Sequence, residues 1–354
     1  MPYGVARDAD EIRLDHLFES SPDLFAHRWH LRGRSIPDRH FRTAGALTSA
    51  SSATSTHAGR RSSREVARVA DPVGLVGQVL FTKYRVDGVL GIGGFAAVLR
   101  ATHLLMKTQV AIKMLRPEVT SRRPDLASLL AREAELAAKL DHPNVVRMLD
   151  VVESEAGAFI VMEHVDGDSL ATLLRKGPLP RRRVAEIGLD VVHGLAAGLE
   201  RGLIHRDVKP GNVMVSRRGA VKLVDFGLAL SSADDLFRRN QPVGTRGYAA
   251  PEQLTEPATI DFRADMFGLG ATLYHAAVGT PPFPGDRWTA DPRTLASAGS
   301  APPALHPEAV VDGSLGRLLT WLLQRRREDR PASYDLVERA LASVIGEMPP
   351  ENRR

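Results

Sequence analysis

The chain has 354 residues, 43% hydrophobic and 25% charged, a balance near the globular average that excludes a fibrous or wholly disordered protein. Its formal net charge of +5 comes from scattered arginines, and at 5% aromatic it lacks the clustered charge and stacking rings of a nucleic-acid binder, so no nucleic-acid partner is expected. Cysteine is absent, which excludes a disulfide framework and any cysteine-ligated metal.

Residues 1–76 show no sustained periodicity, and 48–64 consist only of Ser, Thr, Ala, Gly, His and Arg, too polar to offset the entropy of ordering. They read as a disordered extension, or as sequence translated from upstream of the true start. The N-terminus carries Arg7, Asp8, Asp10 and Glu11 and no apolar stretch of signal-peptide kind. From Gln78 the character changes: 79–90 and 98–114 are rich in Val, Leu and Ile, with turn residues between, and predict strands. A helix is expected over 125–140, where Leu126, Leu129, Leu130, Leu136 and Leu140 recur at helical spacing between Pro124 and the breaker Pro143. Two further strands follow at 145–152 and 158–162.

After Gly167 the pattern turns helical, over 169–174, 183–201, 264–278, 315–324 and 334–345. The most apolar stretch, 187–204, is broken by Asp190, His193, Glu200 and Arg201 and falls short of the ~18 uninterrupted apolar residues of a membrane span. It reads as a core helix, and the cytoplasm is the expected location. The chain therefore divides into a strand-rich half, 77–163, and a larger helical half, 166–346, followed by a tail over 347–354. It carries no internal repeat of solenoid kind.

The stretch LGIGGFAAV holds Gly91, Gly93 and Gly94 between two strand-like segments. A dinucleotide site needs a helix to start at such glycines, but another strand follows here. The context fits either a plain hairpin or one whose backbone N–H groups lie over phosphates. Next, VAIK ends a strand with Lys113, which either snorkels to solvent or pairs with Glu133 of the expected helix to face the phosphates. The most specific stretch is HRDVKPGN, 205–212, followed by VKLVDFG, 221–227. Asp207, Asn212 and Asp225 bring hard oxygen ligands and a proton acceptor together, which suits Mg²⁺ and phosphate chemistry.

With these motifs in this order, residues 78–345 resemble the eukaryotic-like serine/threonine protein kinases also found in bacteria. The resemblance implies an α+β bilobal fold with ATP between the lobes, and Ser/Thr hydroxyls of proteins as acceptors. By it, Leu90, Gly91, Gly93, Gly94, Val98 and Ala111 enclose the nucleotide with Met162 as gatekeeper, and Glu163 and Val165 belong to the hinge. Lys113, held by Glu133, meets the α- and β-phosphates; Asp207 takes or orients the acceptor proton; Lys209 neutralises the migrating group; and Asn212 and Asp225 hold Mg²⁺. It also implies that Thr245 bridges to Asp207 and Lys209, that Glu252 pairs with Arg330, and that Asp265 ties down the catalytic loop.

The sequence departs from the pattern at Ala96, where a third loop glycine is usual, and at Arg246, where proline is common. A kinase-like scaffold without catalysis is the competing reading, although such proteins lose residues that are present here: Lys113, Asp207, Asn212 and Asp225. Arg206 beside Asp207 calls for an anion, which either Asp234 or Asp235, or phosphorylated Ser231 or Ser232, is expected to supply.

Overall fold

A computed structural model describes residues 74–93, 96–116, 137–154, 157–226, 247–255, 260–283, 307–311 and 313–347. The expected helix at 125–140, with Glu133, lies outside them except for its last residues. So do Gly94, Thr245, Arg246, Ser231, Ser232, Asp234 and Asp235.

The first half is a six-stranded antiparallel sheet. Its strands are β1 (Val79–Leu80), β2 (Tyr84–Ile92), β3 (Ala96–His103), β4 (Gln109–Leu115), β5 (Met148–Ser154) and β6 (Gly157–Glu163), in the order β1-β2-β3-β4-β6-β5. The expected strand over 98–114 resolves into β3 and β4, because residues 104–106 form a turn. Period-two alternation is visible at the start of β2, where Tyr84 and Val86 are buried and Arg85 is exposed. Central β4 is buried from Val110 to Leu115, as expected of a strand covered on both faces. Leu99, Ile112, Phe159 and Val161 form the core of this half, joined by Leu75, which lies ahead of the expected start at 77 and is 1% exposed. Each such side chain contributes about 1.5–3 kcal/mol on burial.

The second half opens with β7 (Gly167–Ser169) and α1 (Leu170–Leu174), capped by the Ser169 hydroxyl, which accepts from the Thr172 N–H. Helix α2 (Arg181–Glu200) follows, then a 3₁₀ turn at Pro210–Asn212 and the strands β8 (Val213–Ser216) and β9 (Val221–Leu223). The helices α3 (Pro251–Thr255), α4 (Arg263–Val278), α5 (Pro307–Val310), α6 (Gly313–Leu322) and α7 (Tyr334–Gly346) complete it. Helix α4 is apolar nearly all round and buried along most of its length, which marks it as the centre of this half. Gly279 ends it in the left-handed conformation, φ 88°, where glycine is free of Cβ strain.

Helix α2 approaches its neighbours at backbone distance. A Cβ at Gly188 would stand 2.9 Å from Leu273 and 3.1 Å from Leu341, and one at Gly194 would stand 2.9 Å from the Asn144 carbonyl. At Gly198 it would stand 2.3 Å from the Phe226 ring. The three short strands β7, β8 and β9 form a second sheet that hydropathy did not reveal. Among the described residues no helix is long and apolar enough to cross a membrane.

Candidate active site

The register of the first sheet gathers the residues expected around a nucleotide. Gly91 pairs with Val98, Val98 with Lys113, and Ala111 with Met162, so residues from four strands line one region. The Gly93 N–H donates to the Ala96 carbonyl at 2.8 Å, closing the hairpin that leads into β3. Leu90 is exposed at the edge of this region.

Lys113 is 7% exposed and its ammonium donates to Asp225 Oδ1 at 2.8 Å, joining the sheet to the segment after β9. Burial raises the Asp225 carboxyl's pKa, but the Lys113 charge and hydrogen bond, aided by His205 and Lys209, bring it below the usual carboxylate range. Asp225 and Arg206 both take left-handed backbone conformations, φ 60° and 63°, uncommon for residues with a Cβ and concentrated at functional sites.

Asp207, Lys209 and Asn212 converge on the 3₁₀ turn. Lys209 Nζ lies 2.6 Å from Asp207 Oδ2, and Asn212 Nδ2 donates to the same carboxylate at 3.0 Å and to the Asp207 carbonyl at 2.8 Å. Both bonds use the amide nitrogen of Asn212, which leaves its side-chain oxygen as the acceptor end of the group. Beneath this turn, Asp265 of α4 accepts from the backbone N–H groups of His205 at 2.8 Å and Arg206 at 2.6 Å. Burial pushes the Asp265 carboxyl upward against those donors. The His205 ring packs edge-on against Phe226, centroids 4.9 Å apart, and its Nε2 lies 3.0 Å from the Val224 carbonyl. The expected Glu252–Arg330 pair is present and bidentate, at 2.6 and 2.9 Å.

Several contacts escaped the reading of the sequence. Glu163 Oε1 accepts from Lys222 Nζ at 2.6 Å and from the Arg147 N–H at 2.8 Å, which fastens the end of β6 to β9. Gln253 Nε2 donates to the Arg206 carbonyl at 2.7 Å. The contact of Phe226 with α2 had one sequence signal, since a glycine within a helical run, as at 198 in its last turn, calls for a packing or capping reason.

The protein kinase domain profile matches residues 84–341, most of the chain. The chain belongs to the protein kinase family. Among curated kinases it is 34% identical over 280 residues to serine/threonine-protein kinase PknB of Mycobacterium leprae, covering 77% of this chain and 44% of that protein. It is 35% identical over 289 residues to serine/threonine-protein kinase pkn3 of Myxococcus xanthus, covering 78% and 52%. The chain thus spans about half the length of these relatives. Among solved structures, the PknI kinase domain of Mycobacterium tuberculosis, as a double mutant, matches with a TM-score of 0.61 at 29% identity, covering 77% of this chain and 99% of that one.

Protein kinases use ATP and a divalent metal, and the donors here fit such an ion. Asp225 supplies a carboxylate kept ionised, and Asn212 a neutral oxygen. A hard cation held there would supply positive charge for a bound phosphate.

Proposed function

We propose that this chain is a serine/threonine protein kinase that transfers the γ-phosphoryl group of Mg-ATP to Ser or Thr hydroxyls of other proteins. The reading rests on one observation above all: the Asp207–Lys209–Asn212 cluster and the Lys113–Asp225 pair, brought together from distant parts of the sequence. Adenine lies between Leu90, Val98 and Ala111 on one side and the hinge residues Glu163 and Val165, behind Met162. The glycine hairpin of Gly91, Gly93 and Gly94 covers the phosphates, and Lys113, supported by Glu133, binds the α- and β-phosphates. Asn212 and Asp225 would hold Mg²⁺, which would supply charge neutralisation on the phosphates.

Asp207 accepts the proton of the acceptor hydroxyl as its oxygen bonds to the γ-phosphorus. The bond from that phosphorus to the β–γ bridging oxygen breaks, and ADP leaves. Lys209, already beside Asp207, offsets charge on the migrating group. Catalysis of this kind is positioning and electrostatics. Since ATP is a cytoplasmic metabolite, the reaction belongs in the cytoplasm.

Incubation with Mg²⁺, labelled ATP and generic protein substrates tests the reading, followed by phosphoamino-acid analysis. Label on serine and threonine is expected, reduced about a hundredfold or more by Asp207→Asn and by Lys113→Met with the circular dichroism unchanged. Nucleotide binding without transfer would instead identify a scaffold.

A further inference from the structure

A cavity of about 450 Å³ opens beside the catalytic turn. Its walls include Leu174 and Arg175 at the end of α1, Lys209 and Pro210 of the turn, Tyr248, and His275 in the last turn of α4. It shares Lys209 with the catalytic cluster and no residue with the hinge or the glycine hairpin. An acceptor hydroxyl presented to Asp207 carries the rest of its peptide past Lys209, so this cavity lies where a neighbouring substrate side chain arrives.

Its charged described lining residues, Arg175 and Lys209, are both basic. Among the described lining residues there is no carboxylate. The Lys209 ammonium is engaged by Asp207 at 2.6 Å. Tyr248 and His275 engage each other: the phenol hydroxyl and His275 Nδ1 lie 2.6 Å apart, and the rings stack with centroids 6.2 Å apart. Burial pushes the Tyr248 hydroxyl up to about 12 and draws His275 below its ordinary value, so both are neutral near pH 7 and share one hydrogen bond between them. That leaves Arg175, exposed at the end of α1, with no side-chain partner among the described residues.

We propose that this cavity is a specificity subsite for an acidic side chain of the protein substrate, read by Arg175. A carboxylate entering it meets a guanidinium able to take it bidentately, while Leu174 and Pro210 receive its methylene groups. A substrate lysine finds no counter-charge among the described lining residues and meets Arg175 instead, so its desolvation is uncompensated. The inference rests on the kinase reading above and adds a substrate class to it.

Peptides with a single serine in an alanine–glycine background test it, with one Glu, Lys or Ala placed in turn at each nearby position. At the responsive position the Glu peptide is expected to exceed the Lys peptide in kcat/KM by about tenfold, one exposed attraction gained and one repulsion avoided. The preference should shrink at high salt. Arg175→Ala should level it and Arg175→Glu should invert it; among the described residues the Arg175 side chain has no partner, so both variants are expected to unfold at the wild-type temperature. Equal rates for all charged peptides in the wild type overturn the subsite, and an acidic preference that survives Arg175→Glu overturns its assignment to Arg175. The alanine peptide separates the two levels: if even it receives no phosphate, the kinase reading falls and takes the subsite with it.

Discussion

Removing either partner of the Glu252–Arg330 pair is expected to destabilise the protein strongly and unequally. Arg330 is 3% exposed and Glu252 7%, and their two hydrogen bonds are short. Arg330 also donates to the carbonyls of Arg263 and Gln324, each at 2.8 Å, and of Arg325 at 3.1 Å, with its guanidinium 5.0 Å from the Phe267 ring centre. In Glu252→Ala the buried cation keeps three carbonyls and a ring face, so the cost should fall at the low end of the range for a broken buried pair, about 3 kcal/mol. In Arg330→Ala a buried carboxylate loses its donor and three carbonyls lose theirs. That places the cost at the upper end, about 5 kcal/mol. At roughly 2–4 °C per kcal/mol for a large domain, melting should drop by about 6–12 °C and 10–20 °C respectively. Urea unfolding followed by far-ultraviolet circular dichroism measures both. Because Gln253 beside Glu252 holds the Arg206 carbonyl, activity should fall as well. Equal costs for the two variants, or costs below about 1 kcal/mol, would refute the argument, since solvent or relaxation would then be satisfying the survivor.

Gly198→Ala should lower phosphoryl transfer about tenfold or more and cost about 1–3 kcal/mol, because the new methyl group would sit 2.3 Å from the Phe226 ring beside Asp225. A stabilised, fully active variant would show that helix propensity outweighs this clash. Asp225, whose pKa is depressed, contributes stability above the ordinary carboxylate range and loses it as pH falls through its lower folded value. Lys113→Met abolishes the depression, so the stability gap between wild type and variant should narrow on acidification; denaturant midpoints at stepped pH read it, and a constant gap counts against the pairing. Lys222→Met should raise the KM for ATP several-fold with little change in kcat, because Glu163 loses its tie to β9, and Lys222→Arg should restore it. Unchanged KM would detach that tie from nucleotide binding.

All five helices expected after Gly167 are present; α2, α6 and α7 were legible because their apolar residues repeat with a clear period, and α4 because it is a long, nearly continuous apolar run. Strands β7 to β9 were not, since runs of three or four residues are too short to show a period. Leu75 joined the core unannounced because its short apolar run, Val73-Gly-Leu-Val76, is interrupted by glycine and too brief to show a period. The site was legible through motifs, which give the identity of Lys113, Asp207, Asn212 and Asp225 but no distances. Direct pairing of Lys113 with Asp225, and of Glu163 with Lys222, depends on how β9 meets the first sheet, a tertiary relation with no local signal.

The glycines of α2 bear on how the chain acquires its order. Three interior glycines weaken a helix by about 1 kcal/mol each relative to alanine, and Val184, Ile187, Val191 and Val192 add β-branched residues. A peptide of residues 181–200 should therefore be largely unstructured alone in water. Its helix must form as α4, α7, β9 and Phe226 dock against it, and α7 lies far downstream. Contacts of such long sequence separation are slow to form. During synthesis α2 leaves the ribosome well before α7, so the half bearing Asp207 settles only after α7 has followed.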